Sequence, residues 1–338
     1  MRVTISDVAK KAGVSRGTVD RVIYNRPGVS NVSRIRVEQA IRELEFNPST
    51  QSISRNSRRI PKTIHFIVAP SFNPFVDEVI KGIKRAQKEY GEYGLDIRVH
   101  AHRDFGRDEQ LRALNRYNKE NCSGLIVVPV VDDDVRNRIN ELYDSGLPVV
   151  IYNSDLPGAQ RLCFVGQDQY KSGATAGMLM NITLKSGKVA VIWAMEELMC
   201  HRDRKKGFAD TIDPGIEVLD GGGNSDRDDA AYDITKELLA RNDDLKGIYI
   251  TGGGVDGVAR ALTESGKEKD TVVICHDLTP VSTRLIKEGI VNYAIGQDPS
   301  YQSYKSVSIL FDYLYRGIKP GRATVLTNID IRLITNID

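Results

Sequence analysis

The sequence predicts an α/β protein made of an N-terminal three-helix helix-turn-helix headpiece (1–48), a short linker (49–62) and a two-lobed body of doubly wound parallel sheets (63–338). Three observations carry this. Caps and a glycine follow one another at helix–turn–helix spacing in the first 25 residues. From Lys62 onward, short β-branched runs alternate with helical stretches. The body is also long for one such sheet, which argues for two lobes.

Thr4 with Asp7 three residues on is a capping-box start. Val8, Ala9 and Ala12 then share one helix face, and Gly13 ends the helix by taking a left-handed conformation. Val14 plugs the turn. Ser15 caps a second helix with Val19, Val22 and Ile23 inward and Arg16, Gly17, Asp20 and Arg21 outward. A third helix is expected after Pro27-Gly28, capped at Ser30, with Ile35, Val37, Ile41 and Leu44 as its apolar side and Asn47-Pro48 as its stop. Charge sets this segment apart. Residues 1–62 hold thirteen Lys or Arg against five Asp or Glu, a net of +8, and the whole chain is +2, leaving −6 for the remaining 276 residues. A basic module on an acidic body is the electrostatic footprint of nucleic-acid binding.

The opening segment resembles the headpiece of the lac repressor (LacI/GalR) family of bacterial transcription regulators. The residues that carry the likeness are Val3-Thr4-Ile5, Asp7-Val8-Ala9, Ala12-Gly13-Val14-Ser15, Thr18-Val19, Arg21-Val22 and Val29-Ser30. The resemblance implies that Arg16, Gly17 and Arg21 face base edges in the major groove of double-stranded DNA. Arginine matches guanine edges by geometry, and Gly17 allows close approach. It further implies that Thr4, Ser15, Thr18, Asn25 and Ser30 contact phosphates, which position the module without reading sequence. The family's linker folds into a hinge helix whose leucine wedges into the minor groove. Here Ser52 stands in place of alanine, Ile53 in place of a basic residue and Arg55 in place of the leucine. Two alternatives follow: Ile53 supplies the wedge after a change of register, or Arg55 enters a narrow minor groove.

In the body, the β-rich runs are 65–69, 96–100, 125–129, 148–152, 188–193, 248–251 and 272–277. Strands alternating with helices form parallel sheets covered on both faces, and ligands bind beyond the carboxyl ends of such strands. The turns there are polar: Asn153-Ser154-Asp155, then His201, Arg202 and Arg204, then His276-Asp277, then Gln297-Asp298. Planar hydrogen-bonding groups beside aromatic faces suit a sugar or polyol. The body resembles the type I periplasmic-binding-protein fold, on Asn73-Pro74-Phe75, Phe164-Val165-Gly166 before Asp168, Arg202 ahead of Gly207-Phe208, Asp277 and Gln297. That resemblance implies a cleft lined by Phe72, Asn73, Phe75, Asn153, Arg202, Asp277 and Gln297. It also implies three chain crossings, with one lobe near 63–161 and 294–323 and the other near 162–293 plus the tail. Asn153-Ser154-Asp155 and His276 depart from the ribose-binder pattern, which points to a different sugar, an inositol or a phosphorylated derivative.

Gly252 to Gly257 matches G-x-G-x-x-G and keeps an NAD-dependent sugar oxidoreductase as an alternative. The match sits late in the chain, however, and Asp270 precedes a strand instead of ending one, so a glycine turn at the cleft is the preferred reading. Cys122, Cys163, Cys200 and Cys275 have no paired spacing, and no metal or cofactor is predicted. The N-terminus does not read as a signal peptide and no apolar stretch is long enough to cross a membrane, which speaks against an exported sugar-binding protein and for a cytoplasmic, nucleoid-associated one. The expectation is a regulator, not an enzyme: a homodimer on a pseudo-palindromic operator, probed by a small effector. No leucine heptad follows residue 325, so a coiled-coil tetramer is not predicted.

Overall fold

The computed structural model describes residues 3–23, 26–44, 46, 61–68, 74–101 and 106–337. Asn25, Ile53, Arg55, Phe72 and Asn73 lie outside the described residues, so their expected roles rest on sequence alone.

The headpiece comprises α1 (Ile5–Ala12), α2 (Arg16–Ile23) and α3 (Asn31–Glu43). Thr4 and Asp7 close a capping box, and Gly13 ends α1 at φ 64°. Ser15 Oγ accepts the Thr18 amide at 3.1 Å, and Ser30 Oγ accepts that of Ser33 at 3.2 Å. Val8, Ala9, Ala12, Val19, Val22, Val37, Ala40 and Phe46 form the core. Ile35 corrects the expected apolar side of α3, because it is 59% exposed. The inward stripe runs from buried Val37 and Ala40 to half-buried Ile41 and Leu44, and a residue two before Val37 lies about 200° around the helix.

The body begins with β1 (Lys62–Val68), α4 (Pro74–Tyr90), β2 (Leu95–Ala101), α5 (Arg107–Leu114), β3 (Gly124–Val127), α6 (Asp133–Asp144), β4 (Val149–Asn153) and β5 (Cys163–Gly166). It continues with α7 (Gln169–Thr183), β6 (Gly187–Trp193), α8 (Met199–Thr211), β7 (Ile216–Gly223), α9 (Asp228–Arg241), β8 (Leu245–Ile250), α10 (Val255–Glu264), β9 (Val272–His276) and α11 (Pro280–Lys287). β10 (Tyr293–Gly296), α12 (Pro299–Arg316), β11 (Thr324–Leu326) and β12 (Asp330–Arg332) complete it. Two six-stranded sheets result, in the orders β11-β5-β4-β3-β1-β2 and β12-β10-β9-β8-β6-β7. All the pairings are parallel except β10 with β12. The central strands are buried on both faces, as helices on each side of a parallel sheet require.

Strand membership moves the expected lobe limits. β5 joins the first sheet, so the first crossing follows Gly166 and not residue 161. β10 joins the second sheet, and β11 returns to the first. Each short strand completes the parallel ladder of its neighbour: β5 beside β4, β10 beside β9, β11 beside β5. Gln167 ties the crossings together, donating through Nε2 to Gly296 O at 3.0 Å and to Asn328 O at 2.7 Å.

Candidate functional site

The strand ends of both sheets face one cavity, of about 40 Å³. Phe75, at the start of α4, and Val128, Tyr152 and Asn153 line it from the first lobe. Leu198, Cys200, His201 and Arg204 of the β6–α8 region, Asp226 after β7, Gly252 and Gly253 after β8, Asp277 and Gln297 line it from the second. Among the described non-glycine residues, those with left-handed backbone are Asn153, which ends β4, and Ser225, Asp226, Asp277 and Asp298, which lie just after strands. Such strained positions gather where side chains must be aimed. Here they aim a carboxamide and two carboxylates into the cavity.

The expected lining residues Phe75, Asn153, Asp277 and Gln297 are brought together here. Arg202 is not. It is exposed, and its Nε donates to the Glu196 carbonyl. Arg204 takes the inward place: it is 2% exposed, its Nε donates to Gln169 Oε1 at 2.8 Å and its Nη1 to Thr251 O at 2.7 Å. Its Nη2 is buried with no hydrogen-bond partner, a donor that an acceptor in the cavity would satisfy. The cause is helical phase. On α8 the buried residues are Cys200, His201, Arg204, Gly207 and Phe208, and Arg202 falls on the opposite face. Counting back four residues from Phe208 finds Arg204 in the sequence. Asp226 had no such signal.

Gln297 links the walls. Its Nε2 donates to Asp277 Oδ1 and Oδ2 at 3.0 and 3.1 Å, and its Oε1 accepts Asn153 Nδ2 at 3.0 Å. The glycine turn carries a carboxylate of its own: Gly253 N donates to Asp226 Oδ1 at 2.6 Å. A dinucleotide pyrophosphate on this turn would meet that carboxylate, which opposes the oxidoreductase alternative. A Cβ on Gly252 would come within 2.7 Å of both Asp226 Oδ1 and His201 Cε1, so the turn has no room for a larger residue. His276 is buried behind the cavity, its Nε2 2.7 Å from Tyr249 Oη.

Burial, then Arg204, holds the His201 imidazole down at about 3, and burial keeps His276 well below the usual 6.5. Burial raises the Asp277 carboxyl to about 6, against the pull of Arg204 and Gln297. The two effects on stability have opposite signs. An imidazole depressed in the fold takes its proton first in the unfolded chain, so stability is lost as pH falls below 6.5. A carboxyl raised in the fold takes its proton first in the folded chain, so stability is gained between pH 6 and 3.8. The two depressed histidines oppose the one raised carboxyl, so these three groups together lose stability as pH falls below the histidine range. His201→Gln is expected to flatten the profile. Denaturant titration at pH 7 and pH 5 checks this, and an unchanged difference between the two would refute it.

On the headpiece, Arg16, Gly17 and Arg21 stand exposed on α2. Thr4, Ser15 and Ser30 sit at helix N-termini, and Thr18 Oγ1 lies 2.9 Å from Ser15 Oγ. Helix N-termini with free amides and hydroxyls are the usual anchors for phosphate. Among the described residues no helix is long and apolar enough to cross a membrane.

Comparison with known proteins accounts for both parts. Residues 64–318 match the periplasmic binding protein domain, and residues 4–49 match the bacterial regulatory proteins of the lacI family. The HTH-type transcriptional regulator GalR of Escherichia coli is 26% identical over 220 residues, which is 64% of this chain and 61% of GalR. Catabolite control protein A of Priestia megaterium is 25% identical over 295 residues, 84% of this chain and 85% of that protein. Among solved structures, GanP, a glucose-galactose binding protein from Geobacillus stearothermophilus, aligns with a TM-score of 0.75 at 24% identity, covering 82% of this chain and 99% of GanP. The chain belongs to the periplasmic binding protein domain family and carries a lacI-family headpiece, which places it among the relatives of the LacI-type transcription regulators.

Proposed function

We propose that the chain is a DNA-binding transcription regulator, a repressor that reads a pseudo-palindromic operator as a homodimer in the cytoplasm. Its operator affinity is set by a sugar or polyol held between the lobes. One observation carries this reading: a capped, basic helix-turn-helix with exposed arginines is joined to a body whose strand-end turns converge on a polar cavity. The named relatives are regulators, and the fold relative GanP binds glucose and galactose, which supports both halves. Within the cavity, Asp226 and Asp277 accept from hydroxyls, Arg204 and Asn153 donate to them, and Phe75 offers an apolar face to C–H groups. The two carboxylates outnumber the one guanidinium, which favours an uncharged ligand over a phosphorylated one. At about 40 Å³ the cavity is far smaller than the roughly 150 Å³ that admits a benzene ring. Admitting a monosaccharide therefore requires the lobes to separate, and that motion is what the headpieces would sense.

Thermal-shift screening against sugars and polyols finds the effector, since a ligand at 100 times its Kd adds about 2.7 kcal/mol. Gel-shift titration with that effector then tests the coupling, which must run equally in both directions. A cleft ligand that leaves operator affinity untouched would sink the allosteric reading. For the headpiece, Arg21→Ala is expected to weaken operator binding by about 1–3 kcal/mol while sparing most binding to random DNA. Equal losses on both DNAs would reduce Arg21 to a phosphate contact.

A further inference from the structure

We propose that Gln169, which does not itself line the cavity, is the positioning residue that joins Arg204 to the opposite lobe. It thereby makes the effector contact and lobe closure one arrangement. The inference rests on the effector reading of the cleft.

Gln169 opens α7, the first element after the first crossing, and is 5% exposed. Its carboxamide spends both ends on different lobes. Oε1 accepts Arg204 Nε at 2.8 Å, on α8 of the second lobe. Nε2 donates to Asn153 O at 3.2 Å, at the end of β4 in the first lobe, and lies 3.4 Å from Gln297 Oε1 at the second crossing. Gln297 in turn holds Asp277 and Asn153. The cavity groups from both lobes thus hang on one buried chain of amides. A carboxamide suits the place because it presents an acceptor oxygen to a guanidinium and, from a separate atom, a donor to a carbonyl. Leucine removes both functions, and glutamate keeps the acceptor while losing the donor. On this proposal, opening the lobes parts Gln169 from Asn153 beside the first crossing, whereas the Gln169–Arg204 bond lies within the second lobe.

Two hydrogen bonds donated by backbone amides report closure without any ligand. Val131 N donates to Glu197 O at 2.7 Å, and Cys200 N donates to Ser154 Oγ at 3.1 Å, each crossing between the lobes. Hydrogen exchange of the full-length protein therefore tests the proposal. Gln169→Leu is expected to speed exchange at Val131 and Cys200 by about 10-fold, the loss of one ordinary hydrogen bond's worth of closure. Exchange in the central strands β3 and β8 should stay unchanged. Gln169→Glu, which keeps α8 anchored through Arg204, should give the same loss at Val131 and Cys200 with α8 still protected, and it serves if the leucine variant does not fold. Unchanged exchange at the two reporters overturns the proposal. So does a loss spread equally through α7, α8 and β6, because that is the mark of a merely structural role. Titration of the wild type with D-galactose, D-glucose, D-arabinose, D-ribose and myo-inositol, followed by Trp193 fluorescence, runs beside it. If none binds, it is the effector reading that fails, while the exchange result still decides the role of Gln169 in closure.

Discussion

Replacing Arg204 with methionine is expected to weaken binding of the effector by about 10–100-fold, whereas Arg202→Met leaves it unchanged. A hydrogen bond to a charged group contributes about 1.5–3 kcal/mol; Arg204 lines the cavity and its buried Nη2 has no hydrogen-bond partner. Arg202 points away, onto the Glu196 carbonyl. Methionine keeps most of the length and apolar volume, so the change is chiefly one of charge and donors. A second consequence checks the first. Arg204 lowers the proton affinity of both His201 and Asp277. Its loss should move both upward, so that Asp277 is protonated nearer neutral pH and sugar binding becomes more dependent on pH. Calorimetric titration of both variants at pH 6 and pH 8 makes the measurement. A loss with Arg202→Met alone would return the site to the arrangement expected from sequence, and an equal loss in both variants would refute the assignment to Arg204.

Gly173→Ala is expected to cost about 1–3 kcal/mol of stability, the usual range for overpacking, and to weaken effector binding as well. The helices α7 and α8 touch backbone to backbone. A Cβ on Gly173 would land on the carbonyl oxygen of Arg204, and one on Gly207 would land on that of Tyr170. Backbone cannot swing aside as a long side chain can, so α8 must shift as a unit, carrying His201 and Arg204 with it. Such a loss lowers the melting temperature by roughly 2–12 °C for a domain of this size. Gly215→Ala is the control, since its Cβ approaches only Lys185 O, at 3.3 Å. Differential scanning calorimetry separates the two. A Gly173→Ala protein as stable as the control would show that the contact yields.

Much of this was legible in the chain. The headpiece could be read because capping is local: Thr4, Asp7, Gly13, Ser15 and Ser30 act within four residues of the groups they satisfy. The central strands could be read because burial on both faces demands unbroken β-branched runs, as at 149–153 and 272–276. β7 gave no such signal, since its eight residues end in three glycines and its outer positions are exposed at a sheet edge. β11 and β12 are three residues each and depend on neighbours far away in the chain. The cleft was half legible. Asn153, Asp277 and Gln297 stand at the ends of readable strands, whereas Arg204 depends on helical phase and Asp226 on a turn after an unreadable strand.

By itself the sequence determined the two-part plan, the α/β class of the body, the capped basic helices of the headpiece and the polar chemistry of the strand ends, because each follows from spacing, charge or propensity within a short window. Only the tertiary structure decided which arginine enters the cleft, where the chain passes between the lobes, and that Gln169 joins them. Those outcomes depend on packing between segments distant in sequence: α8 is phased by its glycine contacts with α7, and the crossings by which ladder each short strand completes. No local pattern contains that information, because its energy arises only when the two lobes are assembled.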